Sequence, residues 1–230
     1  MDIRIKILFI VAVGLYLSSC KKNDDRPQAR LTTNLNVVNV SNNTINFYQN
    51  GTRLNNTGSY IPGGTLGYIP VLAGTQNLQI KVAGNSDPLF SLPLALDTGK
   101  LYSLYIGPTA GDTFSTTDVF ESPGPDSIMV RFVNASPDAG LLGVSFHSSD
   151  ANSTVITPSE FKDVEYKKTT NFIATQSGEL ILNVYKSSAP ADPKIDTLTF
   201  NSGGIYTIYS YGTLGSGGIA NLNTRLVNNQ

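Results

Sequence analysis

The chain is poor in the residues that carry most protein chemistry. Its 230 residues include one cysteine, one histidine, two methionines and no tryptophan. A single cysteine excludes an internal disulfide, and a single histidine, His147, excludes a zinc site built from paired imidazoles. Charge is scarce too: Asp, Glu, Lys and Arg make up 14% of the chain, with a net charge of −1. Phosphate binding needs a clustered Lys/Arg surplus, so nucleic acid is excluded as a partner. Gly or Pro interrupts almost every window long enough for an amphipathic helix. No apolar run reaches the roughly 20 residues of a membrane-spanning helix.

What is present is concentrated first at the N-terminus. Arg4 and Lys6 precede the apolar run Ile7 to Leu17, the pattern of a secretory signal. The following Leu17-Ser18-Ser19-Cys20 resembles the bacterial lipoprotein box, which implies cleavage after residue 19 and a lipidated Cys20 as the mature N-terminus. One acyl chain holds a protein only marginally, but bacterial lipoproteins carry more than one, so the resemblance implies a stable anchor. Lys21-Lys22-Asn23-Asp24-Asp25 is similar to the export signal of Bacteroidota surface lipoproteins. The expectation is a signal peptide over 1–19, a lipidated tether over 20–30, and an outer-membrane protein on the cell surface, with the periplasmic face as the alternative.

Beyond the tether the chain reads as short strands bounded by Gly, Pro, Asn and Asp. Examples are Leu35 to Val40, Thr44 to Tyr48, Ser59 to Ile61, Leu66 to Ile69, Leu78 to Val82, Leu89 to Leu92, Leu101 to Ile106 and Thr116 to Phe120. The segment 122–126, with two prolines around a glycine, reads as a linker. It separates residues 31–121 from 127–228, where the same order of segments returns and closes with Ile219 to Val227. Val38-Asn39-Val40-Ser41 corresponds to Val133-Asn134-Ala135-Ser136, Leu78 to Val82 to Leu180 to Val184, and Asp87-Pro88 to Asp192-Pro193. The clearest pair is Gly99-Lys100-Leu101-Tyr102-Ser103-Leu104-Tyr105 and Gly203-Gly204-Ile205-Tyr206-Thr207-Ile208-Tyr209. The fold expected is all-β: two tandem sandwiches of immunoglobulin-like or transthyretin-like topology.

Val130-Arg131-Phe132-Val133-Asn134-Ala135-Ser136-Pro137-Asp138-Ala139 resembles the opening of the bacterial domain of unknown function 4397. The Gly-x-x-Tyr-Thr segment at residue 203 looks like its late strand. The second copy fits along most of its length, whereas the first has Asn42-Asn43 after Ser41 in place of Pro-Asp-Ala. The resemblance implies a β-sandwich in a secreted or lipid-anchored protein, and no activity.

Candidate chemistry is sparse. Asn134, Ser136 and Asp138 could present oxygens and an amide to a sugar or cation, although Ser-Pro-Asp is equally the chemistry of a tight turn. Asp163 and Glu165 could share a strand face, but the lysines beside them, Lys162, Lys167 and Lys168, suit a mixed-charge edge that discourages aggregation. No nucleophile elbow, phosphate loop or calcium loop occurs. Asp126-Ser127-Ile128 and Asp196-Thr197-Leu198 look like Bacteroidota O-glycosylation acceptors, at Ser127 and Thr197. The loops Asn50 to Tyr60 and Tyr206 to Gly218 have the polar and aromatic composition of binding surfaces. The function expected is non-enzymatic and cofactor-free: a surface binding or adhesion module with a glycan or envelope protein as partner, or else a structural spacer. A hydrolase is a third alternative. Gly-x-x-Tyr resembles a tyrosine corner, which predicts buried Tyr102 and Tyr206 with Tyr105 and Tyr209 on the opposite sheet face.

Overall fold

A computed structural model describes residues 31–148 and 159–229. The signal segment, Cys20 and Lys21 to Asp25 lie outside the described residues. Alternating apolar and polar residues build eight strands in the first half: β1 Thr32–Asn39, β2 Ile45–Gln49, β3 Thr52–Arg53, β4 Thr65–Leu72, β5 Gly74–Val82, β6 Phe90–Leu96, β7 Leu101–Ile106 and β8 Phe114–Asp118. Eight more follow: β9 Ser127–Asn134, β10 Leu142–Ser148, β11 Ser159–Val164, β12 Ile173–Gln176, β13 Gly178–Lys186, β14 Ala189–Phe200, β15 Ile205–Tyr211 and β16 Asn223–Asn228.

They form four sheets of four strands, ordered β4-β1-β7-β8, β3-β2-β5-β6, β12-β9-β15-β16 and β11-β10-β13-β14. The second pair repeats the first strand for strand. β1 runs parallel to β7 with Val38 opposite Tyr105, and β9 runs parallel to β15 with Val133 opposite Tyr209. The protein is therefore an all-β chain of two eight-stranded sandwiches.

Period two divides each strand between two environments. Leu35, Val37, Ile45, Phe47, Leu78, Ile80, Leu104 and Ile106 point into the first core, and Ile128, Val130, Phe132, Leu180, Leu182 and Ile208 into the second. Each such side chain contributes about 1.5–3 kcal/mol when fully removed from water. Tyr102 and Tyr206 close the two cores. The Asp97 N–H donates to the Tyr102 hydroxyl at 3.1 Å, and the Asn201 N–H to that of Tyr206 at 3.0 Å. The expected tyrosine corner is thus present in both halves.

The opposite faces of β1, β7, β9 and β15 meet each other. Val38, Val40 and Tyr105 from the first sandwich pack with Val133, Ala135, Tyr209, Tyr211 and Val227 from the second. The Tyr105 and Tyr209 rings cross edge to face at 6.1 Å, and the Tyr209 hydroxyl donates to the Gly63 carbonyl at 2.8 Å. Tyr105 and Tyr209 do occupy the face opposite Tyr102 and Tyr206, and that face is a third core between the sandwiches. Burial pushes both of their hydroxyls well above the ordinary phenol range. Gly63, at φ +65°, supplies a backbone corner under the Tyr211 ring, where a Cβ would overlap the phenol.

The structure departs from the sequence reading at several points. Ser59 to Ile61 supplies only a single bridge, between Tyr60 and Ile45. The closing strand begins at Asn223, because residues 215–221 form a short 3-10 segment broken at Gly218. Asp87-Pro88 lies in the turn before β6, whereas Asp192-Pro193 is inside the twelve-residue β14. Asp163 and Glu165 do not share a strand face: Asp163 has φ +53° and β11 ends at Val164. β11 is a sheet edge, with an exposed Lys162–Glu160 pair at 2.8 Å.

Candidate functional site

The polar counterpart of the third core is a buried ion pair. Arg131 on β9 and Asp118 at the end of β8 lie 2.5 Å apart, with side chains 3% and 0% exposed. Asp118 also accepts from the Ser103 hydroxyl at 2.7 Å, Tyr68 at 2.6 Å and Thr116 at 3.0 Å. Burial and the adjoining Asp118 carboxylate push the Tyr68 hydroxyl far above its ordinary value. Arg131 donates from Nε to Thr207 at 2.9 Å, and its guanidinium carbon lies 4.8 Å from the Phe172 ring centroid. A buried carboxylate tolerates the loss of water only when its lone pairs are filled in this way.

One wall beside this pair is positioned by hydrogen bonds onto β9. The Thr170 N–H donates to the Phe132 carbonyl, and the Phe132 N–H returns a bond to the Thr170 hydroxyl, both at 2.9 Å. Lys167, at φ +64°, donates its N–H to the Asn134 carbonyl and turns the chain into that path. Phe172 then meets Phe120 edge to face at 5.8 Å, and Phe120 meets Tyr68 at 6.2 Å.

Between the chain leaving β8 and the segment entering β12 lies a cleft of about 430 Å³, lined by Thr117, Val119, Glu121, Arg131, Thr169, Thr170, Asn171 and Phe172. That volume is in the range of small-molecule sites, which favour boundaries between packed units. Thr117, Glu121 and Asn171 are exposed, and Phe172 is half-buried. The lining thus offers hydroxyls, an amide and a carboxylate beside an aromatic face. Asp118 takes up the Arg131 charge, which leaves Glu121 as the one carboxylate of the lining. No histidine or cysteine lines the cleft.

A second cleft, of about 260 Å³, is lined by Glu160, Lys162, Asp163, Tyr185, Ser187 and Pro190. There the Tyr185 hydroxyl, which donates to Glu160, is pushed up to about 12 by burial and by that carboxylate. Lys162 and Tyr185 hold Glu160 below the usual carboxylate range. Among the described residues no group of three His, Cys, Asp or Glu side chains could hold a metal ion.

The residues singled out from sequence lie elsewhere. Asn134 and Ser136 are fully buried. The Asn134 amide donates to the carbonyls of Gly140 and Val164, both at 2.9 Å, and its oxygen accepts from the Ser136 N–H at 3.1 Å. Asn39 and Ser41 make the same corner in the first half: the Asn39 amide bonds the Asn43 and Tyr60 carbonyls, and its oxygen takes the Ser41 N–H. Asp138 accepts the Leu214 N–H on both oxygens, at 2.9 and 3.0 Å. All three groups are engaged by the fold, so the cleft described above does not use them. Several loop residues are engaged likewise. Asn55 holds the Phe47 N–H and the Asn46 side chain, and Tyr206, Tyr209 and Tyr211 are buried in β15. His147 is exposed on β10. The Ser127 hydroxyl donates to the Gly124 carbonyl at 2.8 Å, and Thr197 is exposed on β14. The cleft itself left no signal in sequence, because its two walls are about fifty residues apart and meet only in the fold, at the Arg131–Asp118 pair and the Phe120–Phe172 ring contact.

Residues 33–145 match the model of a family described as a domain of unknown function (DUF4397). The match covers the first sandwich, the connecting segment, β9 and the start of β10, including both Asn-x-Ser corners. The sequence reading had placed the clearer resemblance on the second half. No curated protein matches the chain. Among solved structures, the Bacillus anthracis TIE protein is 8% identical at a TM-score of 0.26, over 80% of this chain and 34% of that one. A leucine-rich repeat protein from Bacteroides thetaiotaomicron is 14% identical at 0.21, over 80% and 26%. CBMbc (family CBM26) from Eubacterium rectale Amy13K, solved in complex with maltoheptaose, is 12% identical at 0.27, over 85% and 96%. At such scores these likenesses carry no argument about function.

Proposed function

We propose that the chain is a non-enzymatic binding or adhesion module of the cell surface, held at the outer membrane by lipid on Cys20. The observation that carries this reading is the cleft between the sandwiches, whose hydroxyl, amide, carboxylate and aromatic groups suit a small polar ligand such as a saccharide unit. Its walls rest on the Arg131–Asp118 pair and on backbone bonds to β9, so the groups are held in place before a ligand arrives. The second half is read as a second, diverged copy of the same domain, since its strand order repeats the first.

Glycan-array and pull-down screening of the detergent-purified full chain tests the binding reading. Glu121→Gln combined with Asn171→Ala alters two exposed lining groups and is expected to abolish capture without changing the melting curve. Capture that survives both changes removes the cleft from the reading. If nothing is captured at all, a rigid spacer is the better reading, which the shared third core also suits. Cys20→Ser is expected to move the protein out of the membrane fraction. Native protein whose mass equals that of the lipidated chain alone would remove Ser127 and Thr197 as glycan acceptors.

A further inference from the structure

The β3-β2-β5-β6 sheet turns Phe47, Leu78 and Ile80 into the first core and presents the alternate residues outward. Cross-strand register sets four of these in one row: Arg53 opposite Tyr48, Tyr48 opposite Gln79, and Gln79 opposite Ser91. Residues directly opposite share a sheet face. Lys81, one row along and opposite Asn46, places its ammonium 4.9 Å from the Tyr48 ring centroid.

This face holds two of the three cations in residues 31–121, the third being Lys100. Lys100 pairs with Asp97, whereas Arg53 and Lys81 have no carboxylate partner among the described residues. The Lys81 ammonium donates to the Ser86 carbonyl at 2.6 Å, one residue before Asp87, and the buried Arg53 Nε has no acceptor. Asp118 is taken by Arg131, and Asp112 accepts from Thr109 and Tyr166.

The second sandwich is an internal control. In the same register it carries His147, Ile181 and Asn183 where the first has Tyr48, Gln79 and Lys81. The fold is the same in both halves, so folding does not demand a cation at the Lys81 position. It does demand the Asn-x-Ser corner and the corner tyrosine, which both halves retain.

We propose that this sheet face binds a linear acidic polysaccharide, with sugar carboxylates on Arg53 and Lys81 and hydroxyls on Gln79 and Ser91. Strands lie about 4.8 Å apart, so the row from Arg53 to Ser91 spans about 14 Å. Sugar rings in an extended chain advance by a similar step, so successive rings can meet successive strands. A guanidinium recognises a carboxylate through two parallel hydrogen bonds, and the ammonium adds a point charge. A sheet face offers a peptide no backbone edge to pair with.

The test uses the full chain in detergent, with polygalacturonate as the probe, dextran as the neutral control and polyglutamate as the acidic peptide control. The expected result is retardation in polygalacturonate gels, none in dextran, and weaker retardation as salt rises. Arg53→Gln with Lys81→Gln is expected to weaken binding at least about tenfold, or 1.4 kcal/mol. Arg53→Lys should fall between, because it keeps the charge and loses the fork. Glu121→Gln with Asn171→Ala should leave this binding intact, which separates it from the cleft. Melting curves check that each variant folds, and the single variants decide if the double one does not. The proposal is overturned by absence of retardation at low salt, by equal retardation of the double variant, or by dextran or polyglutamate binding as well as polygalacturonate.

Discussion

The Arg131–Asp118 pair gives a quantitative handle on the joint between the sandwiches. Removing one partner of a buried ion pair leaves an uncompensated charge and costs about 3–5 kcal/mol. Arg131→Met leaves the Asp118 carboxylate with hydroxyls from Ser103, Tyr68 and Thr116, so it should fall near 3 kcal/mol. Asp118→Leu strands a guanidinium that keeps only Thr207 and the Phe172 ring, so it should fall near 5 kcal/mol. The sum of the single changes is about 8 kcal/mol, but the double variant buries no charge. Its main cost is the Ser103 hydroxyl, 1% exposed and now without its acceptor, which is worth about 1–3 kcal/mol. Single and double variants therefore should differ from additivity by about 5–7 kcal/mol, well beyond the 0.3–0.5 typical of independent sites.

Urea unfolding with a global fit of the four chains measures this cycle, and melting temperature gives a second reading. For a chain of this size each 1 kcal/mol moves the melting point by about 2–4 °C, so the single variants should fall by about 6–20 °C. Additivity of the two costs, or single costs below about 1 kcal/mol, would refute the picture of a desolvated pair. A double variant that melts in two steps would show the pair to be the main coupling between sandwiches, with the apolar cluster secondary.

Three further outcomes follow from the same contacts. Tyr102→Phe and Tyr206→Phe each strand one backbone N–H, at Asp97 and Asn201, and should each lose about 1–3 kcal/mol in urea unfolding; the two are in separate cores, so the costs should add. Gly63→Ala should lose about 2–4 kcal/mol, from a Cβ overlapping the Tyr211 phenol at a positive φ, and near-ultraviolet circular dichroism of the tyrosines should change with it. Alkaline titration should destabilise the protein. Burial raises the Tyr60 hydroxyl from 10.0 to about 12, and raises those of Tyr105 and Tyr209 as well. A phenol whose folded value lies above its unfolded one contributes stability that is fully present below pH 10.0 and drains as pH rises toward the folded value. Tyrosinate absorbance that titrates completely near pH 10.0 in the folded chain would contradict the burial of these rings.

Much of the architecture was legible because period-two patterning, turn residues and self-similarity all point the same way. The Gly-x-x-Tyr signature located β7 and β15, and its tyrosines do close the two cores. The strand ends were less legible. Asn223 rather than Ile219 opens β16, since a glycine-rich stretch can turn through a 3-10 segment that no apolar period announces. The Asn-Ala-Ser-Pro-Asp stretch was legible as a turn: Asn134 and Ser136 are buried in it, and the exposed Asp138 accepts the Leu214 N–H.

The cleft was illegible for a physical reason that also explains the opening tyrosine motif. Alternation tells which residues share a face, but not what covers that face. A strand with one apolar face and one mixed face reads as half exposed. In the fold the mixed face of one sandwich is covered by its counterpart in the other, so residues that would suit water in a single domain are buried here. Arg131 shows the consequence most clearly. In one sandwich alone it would be a surface cation of little energetic value, whereas across the joint it meets Asp118 and becomes the floor of a cleft. The cleft is therefore a product of the pairing of repeats, and neither repeat's sequence contains it.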